Sequence, residues 1–226
     1  MIIGGVFDFQ TFYSELIRTW PFFFEAAWIT LRLTIAAVVI GTIIGLFIAL
    51  LKLSTFQPLN WLANIYITII RGTPLIVQIF VLYFGLSGGL QLSDFWAVSL
   101  ALAIHNSAYI AEIFRGAIQS IDKGQMEAGR SLGMTHSLTM RRIIMPQASR
   151  RAVPPLGNQF IIALKDSSLG AFVAMPELFR TAQNIAAGTL NTMETFIIVA
   201  IYYLVLVMAL TLIVNKVEDW LAKSEK

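Results

Sequence analysis

The stretch GQMEAGRSLGMTHSLTMRRIIMP, residues 124–146, is a polar, basic interruption between long apolar runs, and it carries its own helix-turn-helix signals. Glu127-Ala128-Gly129 begins a short helical stretch and Gly133 stands close to its end. A second helix is predicted from about Ser137, which can cap it, to Pro146, where the ring removes a donor and breaks the helix. Small residues at 128 and 129 let another protein surface approach the backbone, while Glu127 and the arginines offer charge-assisted hydrogen bonds. On charge alone, the same loop is also a topology signal.

Outward from this loop, 57% of the residues are apolar and 13% charged, with a mean hydropathy of +0.74, a balance that belongs to a bilayer rather than to a soluble domain. The 226 residues are read as a single transmembrane domain, 1–226, that includes the loop. The chain has no cysteine, which excludes disulfides, thiolate metal sites and thiol nucleophiles together. Its first 17 residues hold no Lys or Arg, so the charged region of a cleavable signal is missing and membrane entry is expected to rely on the first span. A pI near 9.3 invites a nucleic-acid reading, but the cations flank apolar runs instead of forming a patch.

Five spans are expected, because about 20 apolar residues cross the hydrocarbon layer. They run roughly over Trp28–Leu51, Trp61–Leu86, Phe95–Phe114, a compromised fourth, and Thr195–Asn215. The fourth has only Leu156–Leu164 after Pro154-Pro155 before KDSSL, and is read as a helix interrupted near mid-membrane. Placing residues 124–146 in the cytoplasm puts Lys52, Arg115, Lys123, Arg130, Arg141, Arg142, Arg150, Arg151, Lys216 and the C-terminal lysines inside, and leaves Arg18, Lys165 and Arg180 toward the outside. The N-terminus is then outside and the C-terminus cytoplasmic.

The spacing of Glu127, Ala128, Gly129, Gly133, Ile143, Met145 and Pro146 resembles the EAA loop of ABC importer permeases, with Gly129 in place of the second Ala and Met145 in place of Leu. Three further segments, RGTPLIVQIFVLYFGL, AYIAEIFRGAIQSIDKGQMEAGRSLGM and NQFIIALKDSSL, resemble the polar amino-acid permeases, the group that includes histidine, glutamine and arginine systems. The resemblance implies an all-α type I ABC importer permease fold in a prokaryotic cell membrane. It further implies a second permease copy, two cytoplasmic ATPases gripping the EAA helices, ATP and Mg held by those partners, and an external solute-binding protein. This chain has no phosphate-binding loop of its own, so any ATP hydrolysis must come from another subunit, and no catalytic residue is assigned. Glu127, Ala128, Gly129, Leu132 and Gly133 are the expected coupling residues.

Intramembrane charge marks the expected substrate path, since it is costly in lipid. Arg71 is followed by Gly72-Thr73-Pro74, where the helix is expected to bend and expose backbone groups to a cavity. Arg71 contributes charge to a substrate carboxylate, braces the break, or pairs with an acid on a neighbouring span. His105, Tyr109 and Glu112 share one helical face, with Asn106 beside them. Glu112 suits a substrate amino or guanidinium group, or pairs with Arg115 at i+3. For His105 a hydrogen bond between helices outweighs ligation, and no metal site is expected.

Asp166, Ser167 and Ser168 stand where the fourth span stops, in a KDSSL that resembles the family's KDTSL. Asp166 pairs with Lys165, caps the next turn or faces a substrate cation. Two acids and one arginine lean toward basic amino acids such as arginine, histidine or lysine. The Gly41/Gly45 pair reads as internal packing, and the segment after Pro176 as a short amphipathic helix at the outer surface. An ion-gradient-driven transporter or channel shares the broken helices and buried acids, but has no need of a docking helix at 124–146.

Overall fold

The computed structural model describes residues 7–87 and 92–223, so Lys226 lies outside the described residues. Every regular element among them is helical. In chain order these are α1 (Phe9–Lys52), α2 (Gln57–Gly72), α3 (Leu75–Ser87), α4 (Asp94–Gln119), α5 (Lys123–Ser131), α6 (His136–Thr139), a π-helical turn (Met140–Ile144), α7 (Met145–Asp166), a 3-10 segment (Ser167–Val173), α8 (Leu178–Thr189) and α9 (Thr192–Lys223).

Helices α1, α4 and α9 are each long and apolar enough to cross a membrane, and α2 with α3 passes the same test only as a pair bent by 105°. The bend falls where expected. Thr73, the residue before Pro74, is extended at φ −116° and ψ 143°, as the proline ring requires of its neighbour. The Thr73 hydroxyl donates to the Ile69 carbonyl at 2.9 Å, so the opened end of α2 keeps one acceptor satisfied. Helix α7 does not pass as a span, because its first half carries Arg150, Arg151 and three prolines. It still stops where the sequence says, at Asp166, and continues as the 3-10 segment to Ala174 at φ 61°.

Other boundaries differ from expectation. Helix α1 begins at Phe9, far ahead of Trp28, and runs through Pro21. Its polar residues do not end it: the hydroxyls of Thr19, Thr30 and Thr34 donate to carbonyls one turn back at 2.7–2.9 Å, which satisfies them inside the helix. At 44 residues α1 is about 66 Å long, roughly twice the hydrocarbon thickness.

The chain falls into two compact units, the first built from residues up to Ala37, Leu75–Leu102 and Ile161–Leu210. Its interior holds two apolar clusters, one around Leu33, Ile79, Val98 and Leu102, the other around Phe23, Leu178, Ala182 and Ile198. Glu177 is fully buried here as the N-cap of α8. Its carboxylate accepts from the Phe179 and Arg180 amides at 2.9 and 2.7 Å and from the Tyr203 hydroxyl at 2.8 Å. Burial pushes this carboxyl up to about 7, against the three donors that favour its charged form. The next amide, Leu178, donates to the Thr30 hydroxyl at 3.1 Å, so the entry to α8 is satisfied throughout.

The second unit comprises Val38–Pro74, Ala103–Phe160 and the chain from Thr211. Glycines set its close approaches: a Cβ on Gly41 would lie 2.9 Å from the Ala103 carbonyl, and one on Gly45 would lie 2.8 Å from the Ser107 carbonyl. The Gly41/Gly45 pair therefore serves packing of α1 on α4 within one chain, as its spacing suggests. The Tyr66 hydroxyl on α2 lies 2.6 Å from that of Ser107 on α4, which joins a third helix to the pair.

Candidate functional site

The second unit contains a cavity of about 450 Å³ lined by Lys52, Ile67, Thr68, Arg71, Gly72, Tyr109 and Glu112. Three helices build it. Ile67, Thr68 and Arg71 lie on one face of α2's last turns, Tyr109 and Glu112 stand one turn apart on α4, and Lys52 is the last residue of α1. The cavity thus gathers four residues expected at the site, Arg71, Gly72, Tyr109 and Glu112, together with a lysine that the sequence offered only as a topology charge.

Arg71 holds its guanidinium 5.2 Å from the centroid of the Tyr109 ring, a cation–π geometry. It forms no ion pair among the described residues, so the reading in which it merely answers an acid on a neighbouring helix does not hold. Its side chain is exposed at the end of α2, beside the break at Pro74.

Glu112 is fully engaged. One carboxylate oxygen lies 2.6 Å from Lys52 Nζ, and the other accepts from Arg115 Nη2 at 2.7 Å and Nε at 2.9 Å. The i+3 partner offered by the sequence is present, and the second partner comes from 60 residues upstream. Both oxygens accept from protein cations, so three of the carboxylate's roughly four acceptor sites are taken within the protein.

Asn106 is buried and does not line the cavity; its side-chain oxygen accepts from Gln159 Nε2 on α7 at 2.7 Å. His105 is buried, with its ring 5.2 Å from that of Tyr109 one turn further along α4. Thr73 caps α2 as described above and is absent from the lining.

Asp166, Ser167 and Ser168 belong to the first unit. The serine hydroxyls donate back to the Leu164 and Lys165 carbonyls, each at 2.7 Å, and so finish α7. Asp166 makes no capping hydrogen bond to the 3-10 turn and no ion pair with Lys165.

The loop at 124–146 forms a helical hairpin. Asp122 caps α5 by accepting from the Gly124 amide at 2.6 Å, four residues ahead of the expected start. The helix ends in a Schellman motif: the Gly133 amide donates to the Arg130 carbonyl and the Met134 amide to the Gly129 carbonyl, with Gly133 at φ 82°. The cap of the second helix is Thr135, not Ser137, its hydroxyl accepting from the Leu138 amide at 3.2 Å. Pro146 does not break that helix. The π-helical turn at Met140–Ile144 widens the backbone just ahead of it, and Pro146 falls in the first turn of α7, where its missing N–H costs little.

Across the hairpin Gly129 is buried against Thr139 and Ile143, while Glu127, Ala128, Leu132 and Gly133 are exposed, Leu132 to 82%. A groove of about 410 Å³ runs beside α5, lined by residues that include Ile118, Gln119, Asp122, Met126 and Met140.

Comparison with known proteins agrees with this arrangement. Residues 41–223 match the family described as binding-protein-dependent transport system inner membrane component. The chain is 37% identical to the arginine transport system permease protein ArtQ of Bacillus subtilis (strain 168), over 94% of this chain and 98% of that one. It is 40% identical to the glutamine transport system permease protein GlnP of Escherichia coli (strain K12), over 88% and 92%. Among solved structures, one described as an amino acid ABC transporter with histidines superposes with a TM-score of 0.86 at 42% identity, covering 95% of this chain and 99% of that one. The chain belongs to the binding-protein-dependent transport system inner membrane component family, as a multi-pass prokaryotic inner-membrane permease of the polar amino-acid ABC importers.

Proposed function

We propose that this chain is the substrate-conducting subunit of an ATP-driven importer that receives a polar amino acid's α-carboxylate on Arg71. The observation that carries the reading is Arg71 itself, stacked on Tyr109 in the lining of the cavity and in no ion pair among the described residues. An unpaired guanidinium in a membrane protein's cavity is matched by a carboxylate ligand, which it can grip with two parallel hydrogen bonds. Gly72, with open space around it, leaves the end of α2 accessible to the same ligand.

In this reading five apolar spans put the two ends of the chain on opposite sides, and the positive-inside rule puts the N-terminus outside and the C-terminus in the cytoplasm. In this arrangement α5 and Leu132 face two cytoplasmic ATPases that hold ATP and Mg, a second copy of the chain completes the pathway, and a solute-binding protein delivers from outside. The lean toward basic over neutral side chains keeps only Asp166 and its KDSSL resemblance behind it, because Glu112 is engaged by Lys52 and Arg115. Ser167 and Ser168 fix the helix end from which Asp166 projects.

The test is uptake into proteoliposomes holding the permease, its ATPase and its binding protein. Arg71→Gln should raise the half-saturating concentration for an amino acid by about tenfold or more, the size of one lost charge-assisted pair. It should also abolish discrimination against the carboxamide analogue. Uptake driven by an ion gradient without ATP, or discrimination that survives in Arg71→Gln, would overturn the reading.

A further inference from the structure

Glu112 sits at the centre of an unbroken polar chain within the second unit. Lys52 Nζ meets one of its oxygens and Arg115 the other, and Arg115 Nη1 in turn donates to Gln119 Oε1. Residues 112, 115 and 119 follow one another at steps of three and four along one face of α4. The two ends of the chain open onto different cavities: Lys52 and Glu112 line the one that holds Arg71, whereas Gln119 lines the groove beside α5. Lys52 also ties in α2, since its carbonyl accepts from Asn60 Nδ2 at the start of that helix. At the far end the Ser120 carbonyl is held by Arg151 of α7, and Asp122 caps α5.

The charges do not cancel. Two cations, Lys52 and Arg115, face one carboxylate, a surplus of one positive charge beside the unpaired Arg71. A second carboxylate arriving in the cavity is attracted to Lys52 as well as to Arg71, and an ammonium that turns toward it weakens its one contact to Glu112 at 2.6 Å. Such competition has a defined consequence. Released from Lys52, Glu112 has only Arg115 to satisfy it, and Arg115 is the group that also grips Gln119 at the groove.

We propose that Glu112 is a positioning residue rather than a substrate contact: the substrate carboxylate competes with it for Lys52, and Arg115 and Gln119 carry that exchange to the groove beside α5. This rests on the reading of the cavity as the amino-acid site and of α5 as the ATPase seat. It turns the triad into the element by which occupancy of one cavity biases the other, with a stated ion-pair exchange as the two-state step.

The experiment measures ATP hydrolysis and uptake together in the reconstituted complex. Glu112→Gln breaks the charged link between Lys52 and Arg115, so the stimulation of hydrolysis by substrate should fall by about fivefold or more, the lower end of usual coupling. The ratio of the half-saturating concentrations for basic and neutral amino acids should stay as in the wild type. Lys52→Arg, which keeps a cation against Glu112 and leaves Arg115 in place, should retain stimulation that Lys52→Met loses. Gln119→Ala, at an exposed position where folding is not at stake, should lower stimulation without altering the half-saturating concentration.

A selective rise in that concentration for basic substrates in Glu112→Gln would make Glu112 a substrate contact and overturn the proposal. Failure of Lys52→Arg to do better than Lys52→Met, with Gln119→Ala unchanged, would overturn it too. A wild-type complex with no ATP-driven amino-acid uptake would instead overturn the functional reading beneath it.

Discussion

Gly129 occupies the position where the EAA pattern of related permeases has its second alanine, and restoring that alanine should harm this protein. A Cβ on Gly129 would fall 2.6 Å from Thr139 Cγ2, 2.9 Å from Thr139 Oγ1 and 3.2 Å from Ile143 Cδ1. Thr139 cannot give way, because it is fully buried and its hydroxyl donates to the Thr135 carbonyl at 3.1 Å. Overpacking of this kind costs about 1–3 kcal/mol, and alanine's better helix propensity returns about 1 kcal/mol, so Gly129→Ala should destabilise the hairpin by roughly 0–2 kcal/mol. Thr139→Ala removes both offending atoms. The double variant keeps the propensity gain without the clash, and the two changes should therefore couple by about 1–3 kcal/mol. Hydrogen exchange of peptides spanning residues 123–146 reads this locally, since 1–2 kcal/mol is a factor of roughly 5–30 in opening. A coupling below about 0.5 kcal/mol, the error of additivity, would refute the claim that Thr139 fills the space of the missing methyl.

Gly45→Ala should cost about 1–3 kcal/mol, because its Cβ would lie 2.8 Å from the Ser107 carbonyl, a main-chain atom that cannot swing aside. Melting in detergent should fall by roughly 2–4 °C per kcal/mol, and an unchanged Tm would count against close packing of α1 on α4. Gly133→Val meets open space but must adopt φ 82°, so it should cost about 1–2 kcal/mol through backbone strain alone, visible as faster exchange at the end of α5. Glu177 binds its proton more tightly folded than unfolded, at about 7 against 4.5, so its stabilisation is complete below pH 4.5 and is lost as pH rises through 7. The limit is about 3 kcal/mol, and Glu177→Gln should remove that slope from a plot of Tm against pH; a slope unchanged in the variant would show the carboxyl titrating normally. Asp166→Asn should slow uptake of basic amino acids while sparing neutral ones, and equal loss for both would remove Asp166 from side-chain recognition.

The membrane class, the break before Pro74, the end of α7 at Asp166 and the hairpin at 124–146 were all determined by the sequence alone. Each follows from local rules, a run of uncharged residues or a proline or glycine acting on its immediate neighbours, and such rules need no distant partner. Element edges were less legible where a local signal was answered locally in another way. Trp28 opens the apolar run that fits a span, but such a run bounds the span and not the helix, and α1 extends back to Phe9 with the Thr19 hydroxyl bonded one turn back. Pro146 looked like a stop, and the π-helical turn ahead of it absorbed the missing donor.

What only the tertiary structure decided is which charges meet. Lys52 closes an uncharged stretch and reads as a topology marker, yet its ammonium lies 2.6 Å from Glu112, 60 residues on. That pairing turned Glu112 from a free acid for a cationic ligand into a neutralised link, and it left Arg71, stacked on Tyr109, as the open charge of the cavity. Helical periodicity says which side chains share a face of one helix, but electrostatic pairing depends on distance between helices, and that distance is set by packing.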